Sequence, residues 1–281
     1  YSVLYLLGYE DMTIDQIKQF RQLHSKTAGH PEYHFAAGIE TTTGPLGQGL
    51  GNSVGMAIAE AKLAAEFGSD LVDHYTWVVA GDGCLMEGIS QEAISLAGHL
   101  KLNKLVVIWD NNNITIDGAV SNADSTDQIA RFRACGWNTI EIDGQDQAQV
   151  EKALNDAKKS DRPTMIAAKT MIGYGAPKKQ GTHGVHGSPL GPEGVTKTKE
   201  ALGYPLEPAF LVEDDVAAFF KQAGERGAKE EAAWKKSFAA YEAAEPSAAA
   251  SLTLALAGEL PAGWDDDLPV WEFGAKPVST P

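Results

Sequence analysis

The sequence has few cysteines, an excess of acidic over basic side chains, and no long apolar run. Its two cysteines, Cys84 and Cys135, are too few for a disulfide framework, and no Cys/His set has the spacing of a zinc site. They fit a reducing, cytoplasmic location. With 38 acidic and 23 basic residues, the net charge of −15 disfavours binding to nucleic acid or to an anionic membrane surface. No apolar stretch approaches the roughly 20 residues that a membrane-spanning helix needs.

The remaining composition is that of a globular protein able to bury a sizeable core. Of 281 residues, 43% are hydrophobic and 22% are charged, which fits one large domain or a domain with an extension. The chain begins at Tyr1 inside an apolar stretch with no targeting signature. We therefore expect it to be an internal piece of a longer chain.

Strand and helix patterns alternate from Thr76 onward. Predicted strands are Thr76 to Ala80, Leu105 to Trp109, Asn138 to Ile142 and Thr164 to Lys169; predicted helices are Glu87 to His99, Gln128 to Cys135 and Gln147 to Lys158. Strands separated by such helices predict an α/β fold with a parallel sheet and helices on both faces. In such sheets, ligands bind beyond the carboxyl ends of the strands. We expect this domain to span residues 1–204, and residues 205–281 to form a helical extension and linker.

Two segments before the first strand also carry signals. Thr13 and Gln16 predict a capping box that starts an amphipathic helix, whose apolar positions are Ile14, Ile17, Phe20 and Leu23. The segment 44–51 is a glycine-rich loop, and an Ala-rich helical pattern follows it to about Gly68. Other groups can therefore approach the backbone of this loop closely.

Oxygen-bearing side chains follow two of the predicted strands. Gly81-Asp82-Gly83 comes after the first strand and Asp110-Asn111-Asn112-Asn113 after the second, with Asn112 30 residues beyond Asp82. Mg²⁺ prefers oxygen ligands and is usually held by one or two protein groups together with phosphates. Asp82, Asn112 and a nearby backbone carbonyl would leave room for two diphosphate oxygens and a water.

Other nucleotide and catalytic motifs fit poorly. Gly51-Asn52-Ser53-Val54-Gly55 matches the G-x-S-x-G pattern of esterases, but a Gly/Pro-rich loop precedes it where a strand is required. The glycine-rich loop does not satisfy G-x-G-x-x-G, and no G-x-x-x-x-G-K-[ST] occurs. Esterase, NAD and P-loop interpretations therefore lose their support.

Over nearly its whole length, the chain resembles the diphosphate-binding domain of the transketolase family. The motifs that carry the resemblance, in the family's order, are Gly29-His30-Pro31-Glu32, Thr42-Thr43-Gly44-Pro45-Leu46-Gly47-Gln48-Gly49, Gly81-Asp82-Gly83-Cys84-Leu85-Met86-Glu87-Gly88, Ile114-Thr115-Ile116-Asp117-Gly118, Lys169-Thr170 with Ile172-Gly173, and His183-Gly184-Val185-His186-Gly187. The resemblance implies that thiamine diphosphate is bound together with Mg²⁺ or Ca²⁺.

The resemblance also implies roles for individual residues. Asp82, Asn112 and the main-chain oxygen of Ile114 would ligate the metal. The residues implied at the cofactor are Gly44 and Leu46 at its rings, Gly83 at its diphosphate, Ile116 on the other side of the thiazolium, and Asn112, His183 and His186. His30 and His186 would act on the substrate. Glu87 and Glu92 correspond to dimer-interface positions, although a solvated first helical turn would also explain them.

The activity implied is transfer of a two-carbon ketol unit from a ketose phosphate to an aldose phosphate, as in the pentose phosphate pathway. In this family the cofactor lies between the diphosphate domain of one subunit and the pyrimidine-binding domain of a second subunit in a homodimer, and the latter domain would lie beyond Pro281. An inactive truncated fragment that only folds or dimerises, and dihydroxyacetone synthase, remain alternatives. The segments around His30 and His186 disfavour 1-deoxyxylulose-5-phosphate synthase.

Overall fold

A four-stranded parallel sheet forms the centre of the fold in the computed structural model, which describes residues 1–277 and 279. Its strands are β1 (Thr76–Gly81), β2 (Leu105–Asn111), β5 (Asn138–Asp143) and β6 (Thr164–Lys169), in the order β1-β2-β6-β5. A short antiparallel pair, β3 (Ile114–Thr115) and β4 (Gly118–Ala119), follows β2. The carboxyl ends of all four parallel strands therefore lie along one edge.

Helices connect the strands, and further helices precede β1 and follow β6 in the chain. In chain order they are α1 (Ser2–Leu7), α2 (Ile14–Lys18), α3 (Gln48–Phe67), α4 (Asp82–Met86), α5 (Gly88–His99), α6 (Gln128–Ala134), α7 (Gln147–Ala157), α8 (Gly191–Leu202), α9 (Asp214–Ala244) and α10 (Pro246–Ala257). Two short 3₁₀ turns span Val120–Asn122 and His183–Val185. Among the described residues, no helix has both the length and the apolar character to cross a membrane.

The two faces of the sheet bury different helices. Alternate residues of β2, such as Val107, pack with α3, α5 and α6 in one apolar cluster. The intervening residues, such as Val106, pack against Ala153 and Ala157 of α7 on the other face. This alternation follows from the two-residue period of a strand. The predicted α/β fold with helices on both faces is confirmed.

The structure moves several predicted boundaries. Both β1 and β2 run past their predicted ends, so that Gly81 and Asp110 lie inside paired strands and the chain turns at Asp82 and Asn112. Residues 82–86 form the short helix α4, which the sequence pattern did not indicate. The glycine-rich loop is shorter than predicted, since α3 already begins at Gln48; the helix ends at Phe67, one residue before Gly68, as expected.

The helix predicted from the capping box is also shorter. Thr13 Oγ1 accepts a hydrogen bond from Gln16 N at 3.3 Å, but the helix α2 ends at Lys18, and Phe20 and Leu23 are exposed. The reciprocal half of the capping box is absent, because Gln16 Oε1 instead accepts a hydrogen bond from Lys26 N at 2.6 Å. The Gln16 side chain therefore bonds a loop residue ten positions later and not the backbone N–H of Thr13, as a capping box requires.

The predicted extension packs on the α/β part. In α10, Leu252 joins an apolar cluster with Phe67 and Leu71, and the Trp234 indole of α9 donates to the Leu71 carbonyl at 2.9 Å. The predicted boundary at residue 204 falls between α8 and α9. The division into residues 1–204 and 205–281 stays a prediction, and residues 278 and 280–281 of that extension lie outside the described residues.

Candidate functional site

The ends of β1 and β2 bring Asp82 and the segment around Asn112 together. Gly81 pairs with Asp110 in the register of the two strands, so the residues that follow them leave the same edge of the sheet. Asp82 is the first residue of α4, and Asn112 begins the turn that leads to β3. The backbone amides of Asn112 and Asn113 lie close enough to the Asp82 carboxylate to lower its pKa.

The Asp82 side chain is buried, and its two carboxylate oxygens have different surroundings. The residue is 6% exposed, and the Trp109 indole donates to Oδ1 at 3.1 Å, whereas Oδ2 has no hydrogen-bond partner among the described residues. Burial raises the pKa of the Asp82 carboxyl and exceeds the lowering by Trp109 and the nearby amides; the charge of Asp110 also raises it. A buried, unpaired carboxylate oxygen is costly, and a cation bound there would remove that cost.

Asn112 is held by hydrogen bonds at both ends of its carboxamide. Its Nδ2 donates to Asp110 Oδ2 at 3.2 Å, and its Oδ1 accepts from Ile114 N at 2.9 Å. The Thr170 hydroxyl, just after β6, donates to Asp110 Oδ1. A carboxylate oxygen and an amide oxygen thus lie at this corner of the sheet, and hard cations such as Mg²⁺ and Ca²⁺ prefer oxygen ligands.

The glycine-rich loop closes against two other predicted site residues. Gly44 has φ +130°, and a Cβ atom there would lie 2.5 Å from Cγ of His30, so a larger residue would displace the imidazole. A Cβ atom on Gly83 would lie 3.1 Å from a methyl group of Leu46. Gly44 therefore lies beside His30, and Leu46 beside Gly83.

Three further predicted residues are exposed on separate segments. Ile116 is 67% exposed on the turn between β3 and β4. His183 begins a 3₁₀ turn and His186 directly follows it, and Val185 of that turn lies within 3 Å of where a Cβ atom on Gly173 would be. Within residues 1–277 and 279, no hydrogen bond or ion pair joins either histidine to Asp82 or Asn112.

Glu87 and Glu92 lie on an exposed face of α5. Glu87 is the N-cap residue of this helix, and both side chains are exposed. Ile89, Leu96 and Leu100 are exposed apolar residues of the same region. Contiguous exposed apolar residues often mark a protein interface.

Ser53 is not an exposed nucleophile. It lies within α3, is 3% exposed, and its hydroxyl donates to the Leu50 carbonyl at 2.7 Å. A nucleophile elbow needs an exposed serine on a turn after a strand. The structure agrees with the sequence argument against an esterase.

The sequence argument gave no role to three residues that hold the site: Trp109, Asp110 and Thr170. Asp110 and Thr170 stand inside the motifs, and Trp109 directly precedes one of them. An aspartate two residues before Asn112 was the only local signal, because the contacts of Trp109 and Thr170 span 27 and 60 residues of chain.

Comparison with known proteins gives one consistent answer. Residues 1–261 match the family described as transketolase, thiamine diphosphate binding domain. Transketolase 2 of Vibrio parahaemolyticus is 54% identical over 270 residues, which are 95% of this chain and 40% of that protein. Transketolase of Rhodobacter capsulatus is 52% identical over 243 residues, 86% of this chain and 36% of that protein. The chain thus spans about 40% of the length of these relatives.

Solved structures agree with the sequence relatives. Transketolase from Leishmania mexicana has a TM-score of 0.91 and 46% identity, covering 96% of this chain and 41% of that one. Transketolase from Pichia stipitis, solved in complex with sedoheptulose-7-phosphate, has a TM-score of 0.91 and 43% identity, covering 99% of this chain and 42% of that one.

Proposed function

The chain belongs to the family of transketolase thiamine diphosphate binding domains, and from that premise we propose that it supplies the diphosphate- and metal-binding half of a transketolase. The reaction moves a two-carbon ketol unit from a ketose phosphate to an aldose phosphate. The observation that carries this proposal is the buried Asp82 carboxylate, which lies beside the Asn112 segment and whose Oδ2 has no hydrogen-bond partner in the part of the chain that the structure describes.

The proposed metal is Mg²⁺, or Ca²⁺ in its place, held by Asp82, Asn112 and the main-chain oxygen of Ile114. Gly44, Leu46, Gly83, Ile116, Asn112, His183 and His186 are the proposed contacts of thiamine diphosphate. The close approaches of Gly44 to His30 and of Gly83 to Leu46 support a cradle in which backbone faces the ligand. The bound cofactor supplies an electron sink that stabilises the carbanion formed when the ketose carbon bond breaks.

We propose that His30 and His186 bind the substrate and transfer protons. Both are exposed on loops, and imidazole can donate or accept a proton near neutral pH. His30 packs against Gly44, beside the proposed cofactor cradle. These two histidines would hold the substrate oxygens and move protons at them while the carbon bond breaks.

The other half of the site is proposed to come from a pyrimidine-binding domain of a second subunit. The exposed apolar residues Ile89, Leu96 and Leu100, together with Glu87 and Glu92, support a homodimer contact along α5. The same proposal includes sugar phosphates as substrates, a place in the pentose phosphate pathway, and a domain boundary at residue 204. A cytoplasmic location is supported by Cys84 and Cys135, neither of which forms a disulfide.

The Asp82→Asn variant tests the proposed metal site. At millimolar Mg²⁺ and thiamine diphosphate, the melting temperature of the wild-type chain should rise, since a ligand bound only to the folded state stabilises it. The rise should be absent with EDTA and absent in Asp82→Asn. Asp70→Asn is the matched control, because it removes an exposed charge before β1, at the opposite edge of the sheet. An equal rise in Asp82→Asn and the wild type would contradict the proposal.

A further inference from the structure

Two consecutive residues near the end of β2, Trp109 and Asp110, each contact one of the proposed metal-binding side chains. Successive side chains of a strand point to opposite faces. Trp109 accordingly packs in the cluster that includes α3 and α5, and its indole reaches Asp82. Asp110, the next residue, bonds Asn112 and Thr170. Neighbouring residues of one strand therefore hold both of the side chains among the proposed metal ligands.

The Trp109 bond makes the two oxygens of Asp82 inequivalent. An indole N–H is only a donor, and here it occupies Oδ1 at 3.1 Å in a buried position. Rotation of the carboxylate would break this bond in a place where water cannot replace it. Oδ2 therefore stays the oxygen that has no hydrogen-bond partner within residues 1–277 and 279.

Asp110 does the same for the carboxamide of Asn112. An ionised carboxylate can only accept, so it selects the NH₂ end of the amide, which donates to it at 3.2 Å. The oxygen end then accepts from Ile114 N and keeps a second lone pair for another partner. Thr170 fixes Asp110 from the other side, through its hydroxyl to Oδ1, and its own N–H donates to the Asn111 carbonyl at 3.2 Å.

We propose that Trp109 and Asp110 are positioning residues that orient the oxygens of Asp82 and Asn112 for the metal ion. The inference rests on the proposed metal site. Groups that orient metal ligands in this way typically change metal affinity by 10- to 100-fold when they are replaced.

The test measures the apparent Kd of thiamine diphosphate with Mg²⁺ from the ligand-dependent rise in melting temperature of the 281-residue chain. We expect Trp109→Phe and Asp110→Ala each to raise this Kd about 10-fold. Asp110→Asn should raise it less than Asp110→Ala, because its side chain retains an oxygen that can accept from Asn112. A Kd in Asp110→Asn close to that of the wild type would show that Asp110 acts by orienting Asn112 and not by its negative charge.

The Trp137→Phe variant is the matched control. Trp137 is also buried, and its indole donates to the Ile94 carbonyl at 2.8 Å. Its replacement should lower the melting temperature of the unliganded chain and leave the Kd unchanged. Wild-type Kd values in Trp109→Phe and Asp110→Ala, with binding lost in Asp82→Asn, would overturn the positioning role alone. Binding that persists in Asp82→Asn, or no binding to the wild type, would overturn the metal site and this inference with it.

Discussion

The exposed histidines give the sharpest test at the residue scale. If His30 and His186 act on the substrate, His30→Ala and His186→Ala should each lower kcat/KM about 100-fold in an active transketolase that carries these residues, as is usual for acid–base groups. Cofactor affinity should change much less than in Asp82→Asn, since the metal ligands remain. Steady-state kinetics checks this prediction. His74→Ala is the control, because it replaces a histidine of the loop that precedes β1.

Melting temperatures of the same variants show whether His30 and His186 act in catalysis or only stabilise their loops. A normal kcat/KM with a lowered melting temperature would show that the histidines only hold their loops. His30 is open to that outcome because Gly44 packs directly against its ring. His186 is open to it because its backbone N–H donates to the His183 carbonyl at 2.9 Å and so helps to close the 3₁₀ turn.

Single residues also show how far the sequence predicted the site. The motifs located Asp82 and Asn112 near strand ends, because short glycine- and asparagine-rich segments interrupt apolar runs there. The partners of these residues were not predictable in the same way. Trp109 has the pattern of an ordinary core residue, and only the folded sheet brings its indole to Asp82, 27 residues earlier.

At the scale of elements, the sequence predicted which segments form strands and helices, but not the residues at which they end. All four predicted strands form, since apolar runs separated by helices admit few other folds. Strand β2 extends to Asn111 because β6 pairs with it as far as Lys169, a contact that no local pattern contains. Helix α2 ends early because the backbone N–H of Arg21 donates to the Thr27 carbonyl at 2.8 Å and not to the carbonyl of Ile17. Contacts with other segments of the chain therefore set the ends of β2 and α2.

An ion group with one buried member, Glu60, joins α3 to the residue before β2 and carries a prediction at this scale. Lys104 Nζ lies 2.6 Å from Glu60 Oε1 and 2.5 Å from Asp73 Oδ1, and the Glu60 side chain is only 6% exposed. Lys104→Met would leave the Glu60 charge buried without its partner. We expect the free energy of unfolding in urea to fall by about 3 kcal/mol or more.

Two variants control for this ion group. Lys62→Met removes the exposed pair Lys62–Glu66 and should cost less than about 1 kcal/mol. The double variant Glu60→Gln with Lys104→Met should recover part of the loss, because it no longer buries an unpaired charge. If Lys104→Met were no more destabilising than Lys62→Met, the ion group would contribute little to the packing of α3 on the sheet.

At the scale of the whole molecule, the proposed cofactor face lies open. Leu46 and Ile116 are both exposed there, although the proposal places them against the cofactor rings. The chain spans about 40% of the length of its transketolase relatives. The exposed apolar residues fit the proposal that this face is one wall of a cleft.

The last prediction is that the 281-residue chain alone has no ketol-transfer activity and binds thiamine diphosphate more weakly than a complete transketolase does. One wall of a cleft makes only part of the contacts, and these must still offset the entropy of ordering the ligand and the loops. A ketol-transfer assay with ketose and aldose phosphates checks this, with Rhodobacter capsulatus transketolase as the active reference. Asp82→Asn, purified in the same way, measures any contaminating host enzyme. Turnover by the wild-type chain that Asp82→Asn lacks would show that the chain completes a site by itself, and would overturn the half-site proposal.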